Sequence, residues 1–265
     1  MKVLVLGGTG YLGSAIVSAL RDAGHDPVVA SRSSSPSDPG QRQVDVANPA
    51  SLAAAVTPDI DAVVHAAAPD VDWGVQADGV RTLQRTLAGR PLVYTSGVWV
   101  LGETSEAADE SADVRPIDLV SGRPALERLV LDGGGIVIRP GVLHGAGRGL
   151  VALLDGRYVG DDTTTWAMVH VDDAARLFVL ALDKAASGTL LHAVAEPSVP
   201  VVELAIARTG SATPWPNATE DLGAAFAEAL ALSQVVAAPA ALALGWEPRE
   251  PGALVTAAAT VGATS

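Results

Sequence analysis

The residues best placed to do chemistry begin at the amino terminus, in the stretch VLVLGGTGYLGSAI at 3–16. Gly7, Gly10 and Gly13 are spaced as G-x-x-G-x-x-G between an apolar run and an amphipathic one. Such glycines permit a sharp strand-to-helix turn and a close backbone approach to a pyrophosphate. The free N–H groups of the helix N-terminus would then face the phosphates. The spacing predicts a dinucleotide site, with a ligand-free tight turn as the alternative, and the contacts would include Thr9, Tyr11 and Leu12.

The residues that follow the second apolar run indicate which dinucleotide fits. An NAD site usually carries an acidic residue about 20 residues beyond the glycines, where it binds the ribose 2′-hydroxyl. This sequence has Ser31 and Arg32 at that position. A guanidinium and a hydroxyl suit a 2′-phosphate, which a carboxylate would repel. We therefore predict NADP(H) in preference to NAD(H); the alternative is a surface arginine in a serine-rich loop.

The elements that must position these residues follow from alternating apolar and helical runs. Buried, β-branched runs separated by helical periodicity are typical of a parallel sheet covered on both faces, and they predict an α/β, doubly wound sheet of the Rossmann type. The predicted strands are 3–6, 27–30, 43–46, 62–66, 92–96 and 136–139, and the predicted helices are 14–23, 49–56, 74–87 and 121–131.

The second half of the chain has a different pattern of apolar and polar residues. Its predicted strands are 166–171 and 190–194, and its predicted helices are 172–183, 201–208 and 221–232. We expect two domains: a dinucleotide-binding domain over 1–140, and a smaller substrate-binding lobe over 141–265 that packs on the first.

Composition excludes several classes of function. The 265 residues include no cysteine, which removes disulfides, thiolate metal sites and cysteine nucleophiles. The net charge of −13 disfavours nucleic acid and anionic membranes as partners. The apolar strand begins directly after Met1 and Lys2, and the sequence has no long uninterrupted apolar run. We expect a cytoplasmic protein without a signal peptide.

With these motifs in hand, the sequence resembles the extended short-chain dehydrogenase/reductase family, in its NAD-dependent epimerase/dehydratase group. The resemblance runs through VDVANP, VVHAAAP, VYTSGVWVLG, IVIRPGVLHGAG, MVHVDDAARLFVLAL and LGWEPR, in that order. It implies an Asp at the adenine and a run of alanines against the cofactor. It also implies that members pair through helices that flank the sheet, so a homodimer is compatible with it. The further cofactor contacts that it implies are Asp45, Val46, Ala66, Ala67, Ala68, Thr95 and Pro140.

The catalytic motif of that family is missing. Members ordinarily use a Ser or Thr after the fifth strand and a Tyr-x-x-x-Lys on the next helix, because hydride transfer to a carbonyl builds alkoxide charge that must be protonated. The matching segment DLVSGRPALERLVL places Leu119 at the Tyr position and Arg123 at the Lys position. Gly97 stands where the family serine is expected, one residue after Ser96.

Three residues are candidates to replace this machinery. Arg123 could hold the nicotinamide ribose or a substrate oxygen, but its pKa is too high for proton donation. Ser96 could donate a hydrogen bond to a carbonyl from the end of the fifth strand. His144 follows the sixth strand and has a side chain suited to acid–base work, with a packed loop histidine as the alternative. For His65 and His170 we favour structural roles.

Trp99 and Trp166 are the candidates for substrate contact, because the chain has only ten aromatic residues (five Trp, three Tyr and two Phe). They could form an apolar wall, or they could be core anchors. We predict no metal site, since neighbouring carboxylates such as Asp172 and Asp173 point apart on a strand.

The sequence thus predicts an atypical NAD(P)-binding oxidoreductase that acts on a small carbonyl metabolite, by NADPH-dependent reduction or by epimerase/dehydratase-like chemistry. Two alternatives stay open. One is a non-redox isomerase, cyclase or dehydratase on the same fold. The other is a non-catalytic protein that senses NADP(H).

Overall fold

A computed structural model describes residues 1–34, 38, 40–67 and 72–259. The strands are β1 Lys2–Leu6, β2 Asp26–Ser31, β3 Gln41–Gln43, β4 Ala62–His65, β5 Leu92–Thr95, β6 Ile136–Pro140, β7 Val142–His144, β8 Arg157–Tyr158, β9 Thr165–His170, β10 Leu190–Ala193, β11 Glu196–Pro200 and β12 Thr213–Pro214. The helices are α1 Tyr11–Asp22, α2 Pro49–Ala55, α3 Trp73–Leu87, α4 Arg123–Asp132, α5 Leu150–Leu154, α6 Val171–Lys184, α7 Val201–Thr209, α8 Ala218–Leu222, α9 Ala224–Ala231, α10 Pro239–Ala243 and α11 Ala253–Ala259.

Seven strands form a parallel sheet in the order β10-β6-β5-β4-β1-β2-β3. The chain starts at the centre with β1, moves outward through β2 and β3, and then returns to the other side of β1 through β4. This reversal of strand order is the arrangement at which doubly wound sheets bind ligands, at the carboxyl ends of their strands. The Rossmann-type α/β fold expected from the sequence is confirmed.

The chain divides into two compact units that are each built from separate segments. Unit 1 comprises 1–96, 122–139 and 175–191, and unit 2 comprises 97–121, 140–174 and 192–265. The predicted division at residue 140, into a cofactor domain and a substrate lobe, stays a prediction about function.

Unit 1 has a core made by the sheet and by the apolar faces of α2, α3 and α4. Leu4, Leu6 and Val63 from the strands are fully buried with Leu52 and Leu83 from the helices. The continuous apolar strands expected for a sheet covered on both faces are therefore present.

Unit 2 has its own core and its own small sheets. β9 pairs with β7 in parallel and with β11 in antiparallel orientation, and β12 pairs with β8 in parallel. Trp166 on β9 is 1% exposed, and its indole Nε1 donates to the Leu230 carbonyl over 3.0 Å. Burial of this large side chain, with its polar atom satisfied, anchors β9 against α9.

Two predicted elements differ from the observed ones for identifiable reasons. The third strand ends at Gln43 rather than at residue 46, because the Asp45 carboxylate accepts the Ala47 N–H and turns the chain. The helix predicted over 221–232 is two helices, since Gly223 between them has a φ of +85°. A left-handed residue cannot continue an α-helix.

Candidate functional site

The glycine loop after β1 is packed too closely for any larger residue at two positions. A Cβ on Gly13 would lie 2.0 Å from the Gly7 carbonyl oxygen, and a Cβ on Gly7 would lie 2.7 Å from the Ala67 backbone nitrogen. Gly7 also has a φ of +77°, which favours glycine. The loop therefore brings the start of α1 against the carboxyl ends of β1 and β4.

The start of α1 has the properties of an anion site. The helix begins at Tyr11, its N-cap Gly10 offers no side-chain cap, and its first turn carries no acidic residue. Thr9 and Gly10 are exposed, whereas Leu12 is buried in the core. Because the first N–H groups of a helix have no intrahelical acceptor, this end presents donors and partial positive charge to a ligand. The residues present therefore fit a pyrophosphate.

The end of β2 carries the predicted nucleotide-selecting residues. The Ser31 hydroxyl oxygen lies 3.0 Å from that of Ser34, and the Arg32 carbonyl accepts from the Gln43 side chain over 3.0 Å. Arg32 is exposed, and within the described part of the chain its guanidinium has no carboxylate partner. A cation so placed is available to a phosphate.

The other predicted cofactor contacts stand at the ends of their strands. Asp45 is exposed just beyond β3, and Val46 packs partly against the core of unit 1. Ala66 and Ala67 follow β4 directly and lie against the glycine loop. Ala68 lies outside the described residues. Pro140 is the last residue of β6 and is buried.

Arg123 and Thr95 are brought together at the end of β5. The Arg123 guanidinium donates to the Thr95 carbonyl over 3.2 Å, and its Cζ lies 6.0 Å from the centre of the Trp73 ring. The Arg123 Nε and the Thr95 hydroxyl are buried without a hydrogen-bond partner among the described residues. A cation thus stands where the family alignment expects a lysine, beside polar atoms that are unsatisfied.

His65 is a third polar group in this region, and the sequence suggested only a structural role for it. It is 7% exposed, its ring centre lies 5.2 Å from that of Tyr94, and its Nδ1 has no hydrogen-bond partner in the described ranges. Burial, with a smaller contribution from the Arg123 charge, lowers the pKa of His65 to about 4. His65 is therefore neutral at pH 7.

The Ser96 hydroxyl is part of a buried ionic network. It donates to the Glu127 carboxylate, and Arg139 donates to both oxygens of the same carboxylate over 2.9 and 2.6 Å. Glu127 and Arg139 are each 3% exposed. Because the hydroxyl has one proton, Ser96 would have to leave Glu127 before it could donate to a carbonyl. Its catalytic role stays a prediction, and the contact with Glu127 is one that the sequence did not indicate.

His144 in unit 2 is also engaged by other side chains. It is 1% exposed, its Nδ1 lies 2.9 Å from the Thr256 hydroxyl, and its Nε2 lies 3.5 Å from the Glu196 carboxylate. The His144 imidazole holds the pKa of Glu196 below its usual value. These contacts match the packed histidine that the sequence left open as the alternative, and acid–base catalysis by His144 stays a prediction.

Trp99 and Trp166 have different environments within unit 2. Trp166 is the core anchor already described, which is the second of the two roles considered for it. Trp99 lies in a short 3₁₀ helix, Val98–Leu101, and is half-buried. Only Trp99 keeps surface that a ligand could reach.

One group of potential metal ligands exists in the described part of the chain. Ligand atoms of His170, Asp172 and Glu250 lie within 4.8 Å of one another. The His170 Nδ1 already accepts the Asp172 N–H at the start of α6. Asp172 and Asp173 lie in the first turn of α6 rather than on a strand, and Asp173 accepts the Arg249 and Glu250 N–H groups. In the described ranges, no helix is long and apolar enough to cross a membrane.

Comparison with known proteins bears on the family and the fold of this chain. The model of the NAD-dependent epimerase/dehydratase family matches residues 3–91, from β1 to the start of β5. The uncharacterized protein C2A9.02 of Schizosaccharomyces pombe is 31% identical over 244 residues, covering 77% of this chain and 78% of its own. The chain belongs to the NAD-dependent epimerase/dehydratase family. This family protein also matches the 2′-dehydrokanamycin reductase of Streptomyces kanamyceticus, with 29% identity over 77% of this chain and 64% of that one.

Solved structures share the fold of this epimerase/dehydratase family protein. The human epimerase family protein SDR39U1 with NADPH has a TM-score of 0.80 at 24% identity, covering 99% of this chain and all of that one (100%). The UDP-glucose 4-epimerase of Thermus thermophilus with NAD has a TM-score of 0.76 at 21% identity and covers 100% of both chains. The fold is thus that of the extended short-chain dehydrogenase/reductases, and the family supports the binding of a nicotinamide dinucleotide.

The Glu127–Arg139 pair predicts a large effect of a small substitution. Glu127→Gln keeps the shape of the side chain but removes the negative charge that accepts two hydrogen bonds from the buried Arg139 guanidinium. We expect a loss of about 3–5 kcal/mol in the free energy of unfolding, measured by urea denaturation. Replacing both residues, as in Glu127→Leu with Arg139→Met, should lower the free energy of unfolding by less than Glu127→Gln alone. A single variant within about 1 kcal/mol of the wild type would contradict this account.

Protonation of His65 predicts a pH dependence of stability. The folded protein holds the pKa of His65 near 4, below its ordinary value of 6.5. The unfolded chain therefore binds the proton more readily between these values, so this contribution is complete above pH 6.5 and is lost as the pH falls toward 4. The loss is at most about 3 kcal/mol.

The measurement is the urea unfolding free energy of the wild type and of His65→Gln from pH 4 to pH 8. The difference at pH 8 reports the packing cost of the substitution alone. That difference should shrink or reverse toward pH 4, because only the wild type carries the protonation penalty. A difference that is constant with pH would contradict the prediction.

Proposed function

We propose that this protein is an NADP(H)-dependent oxidoreductase of the extended short-chain dehydrogenase/reductase type that reduces a carbonyl group of a small metabolite. The observation that carries the proposal is the glycine loop. Its close contacts at Gly7 and Gly13 leave the exposed start of α1 pointing at the carboxyl edge of the sheet. A turn without a ligand would not require this closeness together with an uncapped, acid-free helix start.

Arg32 and Ser31 supply the proposed preference for NADP(H). An exposed guanidinium without a described carboxylate partner, next to a hydroxyl, matches the charge and geometry of a 2′-phosphate. The structure of human SDR39U1 was solved with NADPH, whereas that of the epimerase from Thermus thermophilus was solved with NAD. The residues of this chain, rather than the neighbours, therefore support the choice.

Arg123 takes the place of the family lysine in this proposal. When bound, the dinucleotide supplies a hydride from the nicotinamide ring. Arg123 stands at the end of β5 with its Nε unsatisfied among the described residues, and it would hold the ribose hydroxyls or a substrate oxygen. A guanidinium that stays charged stabilises a developing alkoxide but does not protonate it.

The proposed proton source is water. Ser96 donates to Glu127, and His144 is 1% exposed between Thr256 and Glu196. Either could serve as a donor only after leaving these partners.

The substrate class follows from the chemistry of reduction and from the half-buried Trp99, which offers an apolar surface. The Streptomyces kanamyceticus relative is named as a reductase of a dehydro compound, which supports reduction over epimerisation.

Arg32→Ala tests the cofactor assignment. Loss of the charge-assisted contact with a 2′-phosphate should weaken NADPH binding about tenfold or more and leave NADH binding nearly unchanged. Binding is measured by energy transfer from tryptophan to the reduced nicotinamide. Arg81→Ala removes a different exposed arginine, which is paired with Asp78 at 2.9 Å, and should change neither affinity. Equal losses for both dinucleotides in Arg32→Ala would reject the preference for NADP(H).

A carbonyl panel tests the reaction. NADPH oxidation is followed with small aldehydes and ketones, including dehydro sugars, and we expect turnover with at least one class. Binding of NADPH without oxidation by any compound would favour the sensing protein that the sequence left open. Binding of neither dinucleotide would reject both the reductase and the sensor.

A further inference from the structure

Unit 2 contains a cavity that the proposed reaction does not use. About 230 Å³ of space, partly open to solvent, lies between the turn after β7 and the helices α5, α7 and α11. The turn after β7 contributes His144 and Arg148, α7 contributes Arg208, and α11 contributes Thr256. Much of that space is open to solvent, so the enclosed part is small and suits one small group.

The charge of this lining is opposite to that of the chain. The protein has 30 acidic and 17 basic residues, so a random surface would present mainly carboxylates. The cavity is instead lined by two guanidiniums and an imidazole, and no carboxylate side chain belongs to the described residues that line it. Two arginines at one cavity are the usual means by which proteins bind phosphate or carboxylate oxygens in a bidentate manner.

The turn after β7, which lines one side of the cavity, has an unusual backbone. Gly145, Ala146, Gly147 and Gly149 all have positive φ values, of +109°, +50°, +67° and +85°. Glycine is favoured at such positions, so three glycines in five residues allow the chain to turn sharply beside the cavity. Gly145 has no room for a side chain, since a Cβ there would lie 2.2 Å from the His170 Nε2.

The hydrogen bonds of His144 fix the direction of its proton. The Thr256 hydroxyl donates to the Ala253 carbonyl over 3.0 Å, so it accepts from His144 at Nδ1. Nδ1 therefore carries hydrogen, and Nε2 faces Glu196. The same Glu196 oxygen accepts the Ala253 N–H over 2.7 Å, which holds the first turn of α11 at the cavity wall.

We infer that this cavity is a binding site for the oxyanion of a small-molecule ligand, a phosphate or carboxylate group held by Arg148 and Arg208. The inference does not depend on the proposed reductase activity, because it uses only residues of unit 2. A ligand that carries such a group could be a substrate or an effector.

The test uses the full-length protein with inorganic phosphate and, separately, acetate as probes, at constant ionic strength against chloride. We expect at least one anion to raise the midpoint of thermal unfolding, by an amount that grows with the logarithm of its concentration once the site is mostly filled. Arg148→Gln and Arg208→Gln should each weaken that binding roughly tenfold. Arg208→Lys keeps the charge but not the planar guanidinium that forms two parallel hydrogen bonds, so it should retain part of the anion binding.

Arg115→Gln is the matched control, because the Arg115 side chain is 79% exposed in unit 2 and outside the cavity. Unfolding of each variant in chloride alone reports whether it folds. A response to phosphate alone indicates a phosphate ester, and a response to acetate alone indicates a carboxylate. No response to either anion in the wild type would overturn the inference. An undiminished response in the arginine variants would also overturn it, since it would place the anion elsewhere, for example at the glycine loop.

Discussion

The close approach between the first strand and the first helix is the constraint on which unit 1 depends. The Gly13 backbone lies so near the Gly7 carbonyl that even a methyl group would collide with it. Because α1 starts there, its first N–H groups, which have no acceptor in a preceding turn of the helix, lie near the edge of the sheet where β1, β4 and β5 end. Arg32 and Arg123 lie at the same edge. The Arg123 Nε and the Thr95 hydroxyl there are buried without a hydrogen-bond partner among the described residues. A looser turn would move the start of α1 away from the other groups at this edge.

The candidate catalytic region at the end of β5 can be understood from the buried charge beside it. Glu127 and Arg139 neutralise each other inside unit 1, and Ser96 completes the carboxylate's hydrogen bonds. A buried ion pair is stable only when the hydrogen bonds of both partners are satisfied. The Ser96 hydroxyl supplies one of the hydrogen bonds to the Glu127 carboxylate, so its role in this network is structural. The Tyr-x-x-x-Lys of the family is missing from the sequence, and Arg123 is the residue that the resemblance aligns with its lysine. The region is thus better suited to binding and charge stabilisation than to proton transfer by a side chain.

Unit 2 places its polar residues differently from unit 1. His144, Glu196 and Thr256 form hydrogen bonds and close polar contacts that hold the start of α11. The arginines of α7 and of the glycine-rich turn face a small cavity beside them. In a chain of net charge −13, this concentration of positive charge is a local feature that the overall composition conceals.

The sequence by itself determined the fold class, the glycine loop and the position of Arg123, because strand and helix periodicity and a local turn depend on neighbours in the chain. Asn48 before Pro49 likewise marked the start of α2, where its side chain accepts two backbone N–H groups. Only the tertiary structure decided which partner each polar side chain has. The contacts of Ser96 with Glu127 and of His144 with Thr256 join residues that are 31 and 112 positions apart. The core position of Trp166 depends in the same way on Leu230, 64 positions away. No periodicity encodes such pairings, since they depend on how whole elements pack.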